Sequence, residues 1–147
     1  MPAYRFRVKF APDPTSLWRD IVVGADRTLA EFQSVLNPAV GLDQSHLWFI
    51  GDDEDYWDSE VKYQCPREYE QSRGGGPVFR TERLENAGEV TLGEMARQLS
   101  LEQYDRICYL YDYGDGWRFY AILKEVLNGE PSDTEPTVVN TEGESID

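Results

Sequence analysis

Two runs rich in apolar residues, 106–111 and 118–126, flank a short polar segment, Asp112-Tyr-Gly-Asp-Gly116. Aspartate and glycine tolerate the positive φ angles that tight turns require. The two runs and the segment between them therefore predict a β-hairpin near the C-terminal end of the fold.

A second hairpin is predicted at the N-terminus. Apolar side chains at every second position from Tyr4 to Phe10 alternate with Arg5, Arg7 and Lys9, which is the pattern of a half-buried strand. A proline-rich turn at 12–14 leads into a second apolar run at 17–23.

Two short helices complete the regular structure. We expect Asp26 to cap a helix with apolar residues at 29, 32, 35 and 36, which Pro38 kinks or ends. Thr91 and Glu94 have the spacing of a capping box and predict the start of the other helix.

The order of elements predicts an α+β fold, with a mainly antiparallel sheet built from the N- and C-terminal hairpins and packed with two short helices. Residues 46–50 and 61–65 are further strand candidates, and residues 66–88, with Gly74–Gly76 at their centre, are expected to be a long loop. We assign residues 1–127 to a single domain. Residues 128–147 contain six acids and no base or aromatic residue, which predicts a disordered acidic tail.

Charge constrains the partners. The chain has 28 acidic and 14 basic residues, a net charge of −14, and such a field argues against nucleic-acid binding. Only three of the 14 basic residues are lysines, Lys9, Lys62 and Lys124, and the others are arginines. Many acids combined with arginine in place of lysine indicate a halophilic origin, and an ordinary acidic protein is the alternative. No apolar run is long enough to span a membrane and no signal peptide is visible, so we expect a cytoplasmic protein without membrane contact.

Four segments occur in an order that is typical of one protein family: residues 17–21, 41–50, 90–94 and 109–117, with Asp112-Tyr-Gly-Asp-Gly-Trp117 as the most specific. Together they resemble the plasmid pRiA4b ORF-3-like family, whose members are sometimes described as passenger proteins of insertion elements. The resemblance covers residues 3–127 and implies an α+β domain without implying an activity. Many members carry a second histidine where this chain has Trp48, so a site built on a histidine pair is not expected.

Several residues are candidates for a site. Asp112 and Asp115 flank the hairpin turn and either converge on a cation, work as an acid–base pair, or serve the turn alone. Trp117 beside them either covers a ligand or packs on a strand. His46 is the single histidine, with a side chain suited to accept a proton or to make a structural hydrogen bond.

Trp48 and Trp57 lie close in sequence to the acidic segment 52–58. Rings beside carboxylates can hold a cation or an arginine- and lysine-rich partner, although a solvated acidic loop explains the same pattern. A calcium loop needs a central glycine that this segment lacks.

The leading hypothesis is a non-enzymatic interaction domain that binds a protein or peptide partner through exposed aromatics and acids. Its candidate binding residues are His46, Trp48, Trp57, Asp112, Asp115 and Trp117. No cofactor fingerprint, metal-ligand spacing or nucleophile motif is present in the sequence, so no cofactor, metal ligand or catalytic residue is assigned. One alternative is a metal-assisted hydrolase or nuclease-like enzyme using Asp112, Asp115 and His46. A second alternative is a DNA-associated accessory protein of a mobile element, with a basic face formed by Arg5, Arg7 and Arg19.

Overall fold

In the part of the chain that the structure describes, one eight-stranded sheet forms the frame of the fold. The computed structural model describes residues 2–72 and 83–146. The strands are β1 (Ala3–Phe10), β2 (Trp18–Gly24), β3 (Trp48–Gly51), β4 (Val61–Gln64), β5 (Arg83–Asn86), β6 (Arg106–Tyr111), β7 (Trp117–Leu127) and β8 (Thr137–Glu142). They are ordered β5-β4-β3-β6-β7-β1-β2-β8, and every neighbouring pair except β4–β5 is antiparallel.

The two predicted hairpins are confirmed and lie side by side. β1 pairs with β2, β6 pairs with β7, and β7 pairs with β1 to join the hairpins in the middle of the sheet. Tyr111 is opposite Trp117, so the connection runs from 112 to 116, and positive φ angles occur at Asp112 and Gly116. The α+β class and the mainly antiparallel sheet follow directly from these pairings.

Within the described residues three helices accompany the sheet, α1 (Leu29–Val40), α2 (Pro66–Ser72) and α3 (Leu92–Gln98), with a 3₁₀ turn at Tyr56–Asp58. The predicted capping box of Thr91 and Glu94 starts α3. The predicted cap of α1 at Asp26 is wrong, because Thr28 caps the helix and forms a second capping box with Glu31. This arrangement satisfies two backbone N–H groups reciprocally, which a lone aspartate two residues earlier cannot do.

Helix α1 also continues past Pro38, which lies in its last turn, and ends at Val40. Gly41 follows in the left-handed conformation, with φ of 89°, and its backbone N–H donates to helix carbonyls. The predicted kink or end at the proline is therefore replaced by an end two residues later, at Val40, and Gly41 satisfies the last helix carbonyls.

The core lies between the sheet and the helices. Phe6, Phe32, Tyr63, Tyr109 and Phe119 are among its largest fully or almost fully buried side chains. On the opposite side of the sheet a smaller cluster forms beneath the 3₁₀ turn, from Phe49, Tyr56, Cys108 and Leu110. The predicted burial of Cys108 is confirmed.

The predicted disorder of the C-terminal tail is wrong for residues 128–146. Strand β8 pairs with β2, Val138 and Ile146 pack against the core, and the sheet therefore extends beyond the predicted domain boundary at residue 127. Although the tail is rich in acids, it also contains the β-branched run Thr-Val-Val at 137–139. This run suits an edge strand.

The predicted loop at 66–88 contains α2 and β5, and its centre, Gly74–Gly76, lies outside the described residues. No helix in the described part of the chain has the length and apolar character needed to cross a membrane.

Candidate functional site

A cleft of about 690 Å³ opens where the end of α1 meets the β6–β7 hairpin. Four of the six predicted binding residues line it, namely His46, Asp112, Asp115 and Trp117. Six further residues line it that no sequence pattern marked as binding residues, among them Asp43, Tyr111 and Ile146. The cleft is thus formed by segments that are distant in sequence, and its polar side chains are mostly carboxylates.

The two carboxylate oxygens of Asp112 have different neighbours. Oδ1 accepts the backbone N–H groups of Gly114 and Asp115 at 3.1 and 3.3 Å, which holds the turn in place. Oδ2 lies 3.6 Å from Nε2 of His46. The turn interpretation of this aspartate is therefore supported by one oxygen, while the other lies beside the histidine.

The Asp112 backbone is also held by hydrogen bonds. Its N–H donates to the carbonyl of Leu47 at 2.9 Å, and its carbonyl accepts from Gly116. Its φ of 63° is a conformation that aspartate and asparagine adopt more readily than most residues. These contacts tie the β6–β7 turn to the segment that carries His46.

Asp43 and Tyr111 form the second polar pair of the cleft. The Tyr111 hydroxyl donates to Oδ1 of Asp43 at 2.5 Å and accepts the backbone N–H of His46 at 3.1 Å. The bond from Tyr111 holds the pKa of Asp43 below its usual value, with help from Ser45. Burial raises the pKa of Tyr111, and the Asp43 carboxylate raises it further. Asp43 is consequently a carboxylate and Tyr111 a neutral hydroxyl at neutral pH.

A buried chain of hydrogen bonds supports the segment that carries Asp43. Gln33 donates to the hydroxyl of Tyr109 at 2.9 Å, and that hydroxyl donates to Oδ1 of Asn37 at 2.6 Å. The amide of Asn37 then donates to the backbone carbonyl of Asp43 at 2.6 Å. Asn37 is fully buried, so this chain positions the cleft loop from within the core.

One wall of the cleft comes from the C-terminal segment. Ile146 donates its backbone N–H to the carbonyl of Val40 at 2.9 Å, at the end of α1. The buried guanidinium of Arg19 bonds to the carbonyls of Ala39, Glu142 and Gly143 at 2.7, 2.8 and 3.1 Å. A single arginine thus joins α1 to the segment after β8.

The remaining predicted residues lie in different surroundings. His46 is half exposed and its ring meets that of Tyr111 edge-on at 5.9 Å. Trp117 is half buried and packs against Phe10 at 6.1 Å. Trp48 is 6% exposed and belongs to the core, and it contributes to a separate, smaller cavity of about 260 Å³ that His46 also lines.

Trp57 lies outside the cleft, on the 3₁₀ turn. It is 47% exposed and packs against Phe49 at 5.1 Å and Tyr113 at 4.9 Å. The six candidate binding residues therefore do not form a single surface. The structure gathers the histidine, the two hairpin aspartates and Trp117, and leaves Trp48 and Trp57 elsewhere.

Residues 2–72 and 83–146 contain no group of three or more histidine, cysteine, aspartate or glutamate side chains placed to hold a metal ion. His46 and Asp112 are close enough for a proton to be shared after a small movement. The carboxylates of the cleft favour electrostatic recognition of a cation. The geometry also permits proton transfer between His46 and Asp112.

Comparison with known proteins agrees with the architecture. The model of the plasmid pRiA4b ORF-3-like protein family matches residues 2–146. A crystal structure of a protein of unknown function from Methanosarcina mazei Go1 is similar to this chain, with a TM-score of 0.65 and 14% sequence identity. That similarity covers 95% of this chain and 69% of the archaeal chain, and it shows the shared fold. No curated protein matches the chain. The chain therefore belongs to the plasmid pRiA4b ORF-3-like family.

Proposed function

We propose that the protein is a non-enzymatic interaction domain whose cleft binds a basic segment of a protein or peptide partner. The observation that carries this proposal is the convergence of Asp43, Asp112 and Asp115 with the ring of Trp117 around one open cleft. Arginine and lysine are the side chains that such a combination of carboxylates and an aromatic ring recognises.

The charge of the cleft supports this choice of partner. None of the described residues that line it is a lysine or an arginine, so its carboxylates are not neutralised from within the lining. Asp43 is charged at neutral pH, and the hydrogen bond from the hydroxyl of Tyr111 stabilises this charged form by lowering its pKa further. The net charge of −14 adds a long-range attraction for a basic partner and increases the rate of encounter.

The rigidity of the cleft supports the proposal as well. Asp112 is held by the turn and Asp43 by the side chain of Tyr111, so both carboxylates are ordered before a partner arrives. A preorganised site loses less conformational entropy on binding than a flexible one. A volume of about 690 Å³ is large enough for one or two long side chains of a bound peptide.

The proposal is tested by titrating the protein with a short arginine-containing peptide and with a matched peptide in which glutamine replaces arginine. We expect Asp115→Asn to weaken binding of the arginine peptide by about three- to tenfold, because a solvent-screened ion pair contributes about 1 kcal/mol. Trp117→Phe keeps a ring against Phe10 and is expected to weaken binding less than Trp117→Leu.

Glu89→Gln is the matched control, because Glu89 is exposed and does not line the cleft. It removes the same charge as Asp115→Asn, and we expect it to leave the affinity unchanged. Equal affinity for the two peptides, or equal loss in Glu89→Gln and Asp115→Asn, contradicts binding in the cleft.

A metal-assisted hydrolase or nuclease-like activity is the second candidate. The observation that favours it is that His46, Asp112 and Asp115 line the same cleft, with the first two 3.6 Å apart. Metal-assisted hydrolysis needs a cation held by several ligands, and calorimetric titration with Mg²⁺, Mn²⁺ and Ca²⁺ tests for it. Absence of binding for all three ions eliminates this candidate without affecting the interaction-domain proposal.

The basic face considered for DNA, with Arg5, Arg7 and Arg19, is not a continuous surface. Arg19 is 5% exposed and bonds to backbone carbonyls on the helix side of the sheet, whereas Arg5 and Arg7 both bind the buried carboxylate of Asp20. A role as an accessory protein of a mobile element stays a hypothesis that this hairpin does not support in its original form.

A further inference from the structure

The imidazole of His46 is positioned in the lining of the cleft by contacts on both sides of it in the chain. The backbone N–H of His46 donates to the hydroxyl of Tyr111 at 3.1 Å, and the carbonyl of the next residue accepts the N–H of Asp112 at 2.9 Å. On the other side, Arg67 donates to the carbonyl of Ser45 at 3.2 Å. The ring is half exposed and meets the ring of Tyr111 edge-on. The position at which this side chain carries a charge is therefore defined by the fold.

The oxygen of Asp112 that the turn does not use is the oxygen that faces His46. Oδ1 accepts the backbone N–H groups of Gly114 and Asp115, whereas Oδ2 lies 3.6 Å from Nε2 of the imidazole. This distance exceeds that of a hydrogen bond but lies within the range of an ion pair. A neutral imidazole therefore leaves Oδ2 free to accept a guanidinium, whereas an imidazolium provides that oxygen with a counter-ion.

Carboxylates from two segments surround the imidazole. The titratable and charged groups that line a cavity together with His46 are Asp43, Cys65, Arg67, Tyr111, Asp112 and Asp115. Arg67 and the buried thiol of Cys65 belong to the smaller cavity, and the three aspartates and the hydroxyl of Tyr111 belong to the acidic cleft.

The charge of the histidine also affects Asp43. The hydrogen bond from Tyr111 is the main cause that lowers the pKa of Asp43, and the charge of His46 contributes to the same shift. A proton on His46 is therefore placed among the carboxylates that a basic partner needs.

We propose that His46 makes the cleft sensitive to pH, because its proton competes with the basic partner for Oδ2 of Asp112. This inference rests on the proposed function and adds its regulation: the partner is bound at neutral pH and released in mild acid. Histidine is the side chain whose charge normally changes between about pH 5 and 8. The chain contains one histidine, so no second imidazole contributes to the effect.

The direction of the effect follows from the charges of the lining. With a neutral imidazole, the described lining contains three aspartates and no lysine or arginine. Protonation of His46 adds one positive charge beside Asp112, which weakens the attraction for arginine. A partner held by apolar contacts alone would not respond to this change, and an acidic partner would bind more tightly in acid.

The test is fluorescence anisotropy with a labelled arginine-containing peptide that has blocked termini, at about pH 8 and about pH 5.5 and at constant ionic strength. Arginine stays charged at both pH values, and both lie above the range in which aspartate usually titrates. We expect the Kd to be about three- to tenfold higher at the lower pH, which is the effect of one solvent-screened ion pair.

Three variants separate the proton of His46 from other effects of acid. His46→Gln is neutral at both pH values and should bind the peptide equally well at both. His46→Lys is charged at both and should bind weakly at both. Asp112→Asn keeps the oxygen that the turn needs and loses the charge, so it should bind more weakly at pH 8 and show a smaller pH response. Glu89→Gln, exposed and outside the cleft, is the control and should keep the full response.

The single histidine provides a second measurement. Its imidazole C–H signals can be followed by NMR during a pH titration without overlap from another histidine. Linkage requires a bound peptide to oppose protonation by the same factor by which the proton opposes the peptide. A saturating concentration of the arginine peptide should therefore move the midpoint of the titration to lower pH by about 0.5 to 1 unit, which corresponds to a three- to tenfold effect.

The outcomes distinguish this inference from the function on which it rests. Equal affinity of the unmodified protein at the two pH values overturns the inference and leaves binding in the cleft intact. Tighter binding in acid, or a pH response of His46→Gln equal to that of the unmodified protein, also overturns it. Absence of binding at both pH values overturns the proposed function and this inference together. Circular dichroism of each variant at both pH values separates loss of binding from loss of folding.

Discussion

Asp112 binds the β6–β7 turn through Oδ1 and lies 3.6 Å from Nε2 of His46 through Oδ2. One residue of the most specific sequence motif therefore combines the geometry of a hairpin with the charge of the cleft. This explains why sequence reasoning could weigh a turn role against a binding role and find support for both. The two roles can be separated experimentally, because the turn needs a hydrogen-bond acceptor at Oδ1 and the cleft needs the negative charge of the carboxylate.

Asp112→Asn and Asp112→Ala should differ in stability. Asparagine keeps an oxygen for the two backbone N–H groups and tolerates a φ of 63°, so we expect a change within about 0.5 kcal/mol. Alanine loses both hydrogen bonds and is strained at this φ, so we expect a loss of about 2 kcal/mol in the free energy of unfolding. Urea unfolding measures both, and equal losses in the two variants would mean that the turn does not depend on Oδ1.

The buried pair of Asp20 with Arg5 and Arg7 predicts an acid-sensitive contribution to stability. Burial alone would raise the pKa of Asp20, but hydrogen bonds from Arg7 and Arg5 outweigh it and hold the pKa below its usual value. The charged form therefore stabilises the fold above the unfolded-state pKa of about 4, and this contribution is lost as the pH falls through the lower folded-state value.

Asp20→Asn should lower the free energy of unfolding at pH 7 by about 3 kcal/mol, because two arginines lose their buried counter-charge. The loss should become smaller as the pH falls below about 4, because the unfolded state then binds a proton at this aspartate that the folded state does not yet bind. Asp13→Asn, at an exposed turn position, is the control. A difference between variant and parent that stays constant down to about pH 2 would show that the charge of Asp20 contributes nothing.

Two glycines distinguish an ordered C-terminal segment from a disordered tail. A Cβ atom at Gly143, where φ is +84°, would lie 1.8 Å from the carbonyl oxygen of Ser16, whereas a Cβ at Gly129 would have no atom within 4 Å. We expect Gly143→Ala to cost more than about 2 kcal/mol and Gly129→Ala to stay within about 0.5 kcal/mol. Thermal unfolding measures both, and a neutral Gly143→Ala would support the disorder that the sequence predicted.

Adaptation to concentrated salt stays a prediction from composition. If the 28 acids are arranged for high ionic strength, their mutual repulsion should weaken folding in dilute buffer and be screened as salt is added. Far-ultraviolet circular dichroism should then show a folded fraction that increases with KCl concentration. Complete folding in dilute buffer, with no change on adding KCl, contradicts a halophilic origin.

The parts of the fold that were predicted correctly depend on residues close in sequence. The β6–β7 hairpin follows from its turn residues, and α3 begins at the box formed by Thr91 and Glu94. The same signal was present for α1, because Thr28 and Glu31 have identical spacing, and it identifies the cap better than Asp26 does. Local hydrogen-bond chemistry was sufficient at each of these positions.

The cleft could be predicted only in part, because its walls meet through pairings that are distant in sequence. His46 and the hairpin aspartates were selected for their side-chain chemistry, and the position of β3 beside β6 brings them together. Asp43 is held in the cleft by the hydrogen bond from Tyr111. Ile146 reaches the cleft because β8 pairs with β2 and because Arg19 bonds to the segment after β8. No local pattern marks such contacts, so the six acids and the lack of basic and aromatic residues made residues 128–147 look disordered.

The most direct test of the proposed function is a ¹H–¹⁵N correlation spectrum recorded while a short arginine-containing peptide is added. Binding in the cleft predicts saturable shifts at the backbone amides of residues 41–46 and 111–117 and at the indole N–H of Trp117, with Ile146 also affected. Shifts spread evenly over the acidic surface, shifts confined to the region around Trp57, or an identical response to the glutamine peptide would contradict the proposal.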